Sequence, residues 1–128
     1  MILVDTHVIF WFMTGNSALP DSVKEKVFND EERYISIATF WEMTIKSNIG
    51  KLTLPGSISD MIDICSGHGF KILNIDGNDL ECLHTLELIH IDPFDRILIS
   101  QALSKNMTLL TADENIMKYN VETFWEKV

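Results

Sequence analysis

The segment Ile91-Asp92-Pro93-Phe94-Asp95-Arg96, with the apolar run that follows it, constrains the fold more than any other part of the chain. Pro93 has no N–H to donate and a backbone angle already set for a helix. It therefore belongs in a first helical turn, with Asp92 as the N-cap. Phe94, Ile97, Leu98 and Leu103 then recur at helical spacing and predict a buried stripe. Asp95 falls in the first turn, where the positive end of the helix dipole favours a carboxylate. After Lys105-Asn106 the run Met107 to Leu110 predicts a short buried strand, and it ends in Thr111-Ala112-Asp113. In an open parallel sheet, ligands bind beyond the carboxyl ends of the strands, so Asp95 and Asp113 are expected to share one crevice.

The remainder of the chain repeats the same grammar. Ile2-Leu3-Val4 predicts a buried first strand ending on Asp5-Thr6, and Val8 to Met13 predicts a deeply buried helix that stops at Gly15-Asn16. Pro20-Asp21-Ser22 opens an amphipathic surface helix with Val23, Val27 and Phe28 on one side. Tyr34 to Ile37 is a second strand, and Thr39 is the expected cap of a helix through Phe40–Lys46 that ends near Gly50. A turn at Leu52–Gly56 leads to a helix with Ile58, Met61, Ile62 and Cys65 on one stripe, closing at Gly67-His68-Gly69 with His68 in solvent. Phe70 to Leu73 is a third strand, and Asp76 starts a helix carrying Leu80, Leu83 and Leu86. Beyond Met107–Leu110, a short helix from Asp113 to Tyr119 and a last strand near Thr123-Phe124 complete the pattern. Strands alternating with helices imply one α/β domain with a central parallel sheet flanked by helices on both faces.

A chain of 128 residues suffices for one core and not for two comfortable domains. Its longest apolar run is far short of a membrane span, and its opening lacks the basic start of a signal peptide, so no membrane association and a cytosolic location are expected. Cys65 and Cys82 fit neither a metal-knuckle nor a disulfide spacing and are expected to be small buried hydrophobes. The net charge of −9 repels nucleic acid at long range. Any nucleic-acid chemistry therefore needs metal ions, a local basic patch or a basic partner.

Asp5, Asp95 and Asp113 each occupy a strand exit or a helix start. Any one alone is most simply a cap. Gathered at one sheet edge, they predict a site for a hard cation with oxygen ligands, Mg²⁺ or Mn²⁺, which needs only one or two direct carboxylates per ion. Such a site activates water for in-line attack on a phosphodiester without a nucleophilic side chain. Thr6 and Thr111 are expected to hydrogen-bond the acids that bind the ion. Glu42 and Lys46, four apart with the acid first, predict an ion pair on a helix face. Glu42 also lies between Trp41 and Met43 near a helix start, the same kind of position as Asp95. The histidines show no paired spacing on one helix face, and neither a Gly-rich loop nor a nucleophile elbow is present. Asp5-Thr6-His7 lacks the second acid two residues on that an aspartyl-phosphate phosphatase uses.

Taken in order, Leu3-Val4-Asp5-Thr6-His7, Ser36 followed by Phe40-Trp41-Glu42 and Ile45-Lys46, Gly50-Lys51-Leu52-Thr53-Leu54-Pro55, Asp92-Pro93-Phe94-Asp95-Arg96, Thr111-Ala112-Asp113 and Phe124-Trp125 resemble a single-domain PIN-domain protein of the VapC toxin type, over residues 1–128. The resemblance places the family's acids on Asp5, Glu42, Asp95 and Asp113 and its Ser/Thr near the metal on Thr111. It implies a Mg²⁺- or Mn²⁺-dependent endoribonuclease, homodimeric and inhibited by a cognate antitoxin, with Lys46 and Arg96 as candidate substrate or structural contacts. Relatives often carry a basic residue before Asp92. Here that residue is Ile91, so the phosphate contact expected there is either absent or supplied by His90. The alternative is a non-catalytic module of the same fold that binds a partner; four retained like charges argue against it.

Overall fold

The computed structural model describes residues 1–30 and 32–125. The elements run β1 (Ile2–Val4), α1 (Thr6–Thr14), α2 (Asp21–Asn29), β2 (Arg33–Ser36), α3 (Ile37–Asn48), α4 (Ile58–Gly67), β3 (Lys71–Leu73), α5 (Gly77–Thr85), α6 (Pro93–Lys105), β4 (Thr108–Leu110), α7 (Glu114–Met117) and β5 (Thr123–Phe124). The strands form one sheet in the order β3-β2-β1-β4-β5, and every pairing is parallel. Strand order reverses between β1 and β4, so the crevice beyond their carboxyl ends is the place where the flanking loops part.

Alternation along the strands builds two cores. Ile2, Val4 and Leu110 point to one face with Val8, Ile9, Val23, Ile35, Phe40 and Met43. Leu3 and Leu109 point to the other, with Leu98, Ile99, Ala102, Ile116 and Tyr119. Among the described residues no helix is long and apolar enough to cross a membrane.

Several expected boundaries and burials move. β2 ends at Ser36, whose hydroxyl accepts the Ala38 N–H at 3.1 Å and caps α3. Thr39 is consequently inside the first turn, and its hydroxyl meets that of Thr6 at 3.0 Å instead of capping. In α1 only the amino-terminal part is deeply buried. Phe10 to Met13 are partly exposed, and Phe12 packs on Phe70 and Phe28 with ring centres 5.7 and 5.5 Å away. Phe28 and Leu103 are exposed, and Leu80, 53% exposed, belongs to an open groove and not to the core. In α6 the buried residues are Ile97 to Ala102, because the helix lies between the sheet and α5 and buries a broader face than the stripe anticipated. α7 stops at Met117, and Cys82 is half-buried, whereas Cys65 is buried.

Candidate metal centre

The pairing of Val4 with Leu110 sets Asp5 and Thr111 abreast at the exits of β1 and β4. The Asp5 N–H donates to the Leu110 carbonyl at 3.0 Å, which continues the ladder one step past the strand. The Thr111 hydroxyl donates to Asp5 Oδ2 at 2.6 Å and accepts the Asp113 N–H at 3.0 Å, so one side chain fixes both acids. Asp5 is 2% exposed, and its other oxygen, Oδ1, is buried without a hydrogen-bond partner among the described residues. A cavity of about 200 Å³ lined by Asp5, His7, Trp11, Ala112 and Asp113 opens here. Asp113 Oδ1 also accepts the Asn115 N–H at 2.8 Å, so the acid caps α7 as well as lining the cavity.

Asp95 arrives from α6. Asp92 Oδ1 accepts the N–H groups of Phe94 and Asp95 at 2.9 and 3.2 Å, which starts the helix where Pro93 allows it. Asp95 Oδ2 meets His90 Nε2 at 3.1 Å. Burial raises the Asp95 carboxyl to about 7, and the charges of Asp92, Asp5 and Asp113 add to the rise while His90 opposes it. Burial raises Asp5 too, with Asp113 adding and the Thr111 hydroxyl and His7 opposing. Asp5, Asp95 and Asp113 thus lie within each other's fields, which separate helix caps would not. His90, Asp92 and Asp95 each offer a ligand atom within 4.8 Å of the others.

Glu42 lies on α3 and, among the described residues, neither lines the cavity at Asp5 nor belongs to the group around Asp95. It is 7% exposed and pairs with Lys46 Nζ at 2.8 Å through Oε2. Thr39, one turn before Glu42, touches Thr6, and the Trp41 ring meets Phe94 edge-on at 5.1 Å, which ties α3 to the turn that carries Asp95. Lys46, Lys51, His7 and Thr6 line a second cavity of about 180 Å³, and His7 lies between the two cavities. Arg96 is committed elsewhere: it donates to the carbonyls of Leu86 and Glu87 at 3.2 and 3.0 Å and to the Tyr119 hydroxyl at 3.0 Å.

Sequence reasoning overlooked His7, Asp92, Tyr119 and the Thr6–Thr39 contact as parts of this site. His7 carried a usable signal, since a residue two beyond a strand-end acid lies at the same crevice. Tyr119, 29 residues from His90, carried none.

The PIN domain family model matches residues 2–122. The chain belongs to the PIN domain family. VapBC2 from Rickettsia felis bound to a promoter DNA fragment has a TM-score of 0.73 at 16% identity, covering 97% of this chain and 98% of that one. VapBC-1 from nontypeable Haemophilus influenzae has a TM-score of 0.68 at 22% identity, with 97% of each chain covered. FitAcB from Neisseria gonorrhoeae has a TM-score of 0.66 at 19% identity, covering 97% and 96%. No curated protein sequence matches the chain. A PIN domain with a five-stranded parallel sheet is therefore the fold: the parallel sheet agrees with the alternation of elements and the family with the resemblance.

Proposed function

We propose that the chain is a VapC-type toxin: a metal-dependent endoribonuclease of the cytosol, inhibited by a cognate antitoxin. The observation that carries this reading is Asp5 Oδ1, a buried carboxylate oxygen with no partner among the described residues, in the fields of Asp95 and Asp113. An unpaired buried carboxylate oxygen is costly, and an all-oxygen donor set suits a hard divalent cation. Asp5, Asp95 and Asp113 would hold Mg²⁺ or Mn²⁺, which when bound supplies the Lewis acidity for phosphodiester hydrolysis. Thr111 orients Asp5, and Thr6 ties the start of α1 to α3, the helix that carries Glu42, which we assign to the catalytic set. Lys46 neutralises Glu42 and, with Lys51, offers a local cationic pocket to an RNA phosphate on a chain that is otherwise acidic. Arg96 acts as a structural contact that holds the loop before α6.

The antitoxin we envisage places a basic side chain at the acid cleft, where an Arg grips a carboxylate with two hydrogen bonds. A second copy docks on the apolar groove of about 440 Å³ between Trp41, Ile45, Leu80, Leu83 and Phe94. Among the described residues no charged side chain lines that groove, so two chains of charge −9 meet there without opposing like charges.

Purified protein freed of any partner is expected to cut a structured RNA with Mg²⁺ or Mn²⁺, to stop in EDTA, and to lose activity as Asp5→Asn. Cleavage that persists in EDTA would overturn the metal role. Failure to cut any RNA, with partner binding intact, would favour the non-catalytic module.

A further inference from the structure

The loop before α6 is fastened by two side chains that lie outside the acid cleft. The Tyr119 hydroxyl accepts the N–H groups of Ile89 and His90 at 3.2 and 2.8 Å and meets the His90 carbonyl at 3.2 Å. Arg96 Nη1 donates to that same hydroxyl at 3.0 Å and to the Glu87 carbonyl at 3.0 Å, while Nη2 donates to the Leu86 carbonyl at 3.2 Å. Both the backbone and the approach of His90 are therefore set by α6 and by the segment after α7. The imidazole is 24% exposed and turned inward, with Nε2 at 3.1 Å from Asp95 Oδ2. Asp95 Oδ1 takes no hydrogen bond among the described residues.

We propose that His90 is a positioning residue for the Asp95 carboxylate, locked in place by the Arg96–Tyr119 clamp. With its proton on Nε2, the ring donates to Oδ2, fixes the rotamer of Asp95 and leaves Oδ1 to face the cleft. The N–H of Asp95 is separately held by Asp92 Oδ1, so both ends of the residue are tethered. Carboxylates that bind metal are commonly held in this way by a second hydrogen-bonding group, and losing that group weakens metal affinity about 10- to 100-fold. The inference rests on the metal-site reading above. His90 Nε2 is engaged by the Asp95 carboxylate, so a phosphate contact would have to use Nδ1.

Mn²⁺ binding to the full chain, followed by calorimetry and by electron paramagnetic resonance, tests it without any RNA. His90→Ala is expected to bind Mn²⁺ about 10- to 100-fold more weakly than the parent. Its melting temperature in EDTA should fall little, as expected of a partly exposed side chain. His90→Gln, which offers an amide N–H at similar reach, should restore most of the affinity, and a packing role would not predict that rescue. Tyr119→Phe, outside the cleft, should weaken binding in the same direction and to a smaller degree. If His90→Ala binds Mn²⁺ as the parent does and loses only RNA affinity, His90 is a phosphate contact and the proposal is wrong. If the parent binds no Mn²⁺, the metal-site reading and this proposal fall together. A parent that binds Mn²⁺ with an unaffected His90→Ala removes this proposal alone.

Discussion

Replacing Asp95 by Asn tests whether the acids form one electrostatic site. The carboxyl rises from 3.8 to about 7, chiefly through burial and then through repulsion from Asp92, Asp5 and Asp113. Because the folded-state value is the higher one, the protonated acid contributes stability below 3.8, and that contribution is lost as pH climbs through about 7. A rise from 3.8 to about 7 corresponds to roughly 4 kcal/mol in the limit. Solvent at the open side of the cleft reduces this to roughly 2 kcal/mol. Asp95→Asn removes the charge, keeps the shape and gives up roughly 0.5 kcal/mol of interaction with the helix dipole. The net expectation is a gain of roughly 1–2 kcal/mol at neutral pH in EDTA, about 3–8 °C in melting temperature for a chain of this size. The gain should vanish near about pH 4, where the parent is protonated as well. Mg²⁺ at about 100 times its dissociation constant should stabilise the parent by roughly 2.7 kcal/mol, and Asp95→Asn by less. Thermal melts by circular dichroism across pH, with and without Mg²⁺, supply every comparison. Should Asp95→Asn melt lower than the parent in EDTA and respond equally to Mg²⁺, Asp95 is a helix-start carboxylate and the shared site does not exist.

Thr111→Val deprives Asp5 Oδ2 of its donor and should destabilise the metal-free fold by roughly 2 kcal/mol in urea unfolding. Because that hydroxyl also holds the Asp5 carboxyl down, the loss should be larger where Asp5 is ionised than where it is protonated. Lys105 Nζ lies 2.8 Å from both Asp76 and the fully buried Asp79, so Lys105→Met should cost roughly 3 kcal/mol by the same assay. Asp79 is held below the usual carboxylate range, so this loss should shrink as pH falls through that range; a pH-independent loss would point to packing instead. Leu80→Glu places a charge in the apolar groove and should convert a dimer to a monomer in light scattering, whereas a dimer that survives would locate the seam elsewhere.

The parallel sheet was legible because each strand is a short apolar run closed by a polar residue, and because Pro93 leaves a helix only one place to begin. The candidate acids were legible for the same reason, since Asp5 and Asp113 follow strand ends and Asp95 follows a helix start. What one dimension does not carry is orientation about an axis. Leu80 and Leu103 obey helical spacing and still face outward, because burial in α5 and α6 depends on where a neighbour lies. Thr39 reads as a cap until Ser36, with the free hydroxyl nearest the first unpaired N–H, takes that role and releases Thr39 to Thr6. Arg96 beside Asp95 reads as either a substrate or a structural contact, and only the return of Tyr119 shows what occupies its guanidinium.

The switch in strand order joins these observations. β1 and β4 exit together because the chain winds one way through β2 and β3 and the other way through β5, so the acids that end β1 and β4 meet however far apart they lie in sequence. Burial at that point makes their mutual repulsion strong, and among the described residues nothing pairs with Asp5 Oδ1 there. Any cation that binds there relieves one and the same repulsion, whether it is a metal ion or the basic side chain of a bound protein. On the proposed reading, catalysis and inhibition are therefore alternative ways of neutralising the same carboxylates. The acidity of the chain is then consistent with nuclease activity: it disfavours RNA at long range, while the cleft gathers the cations that make close approach favourable.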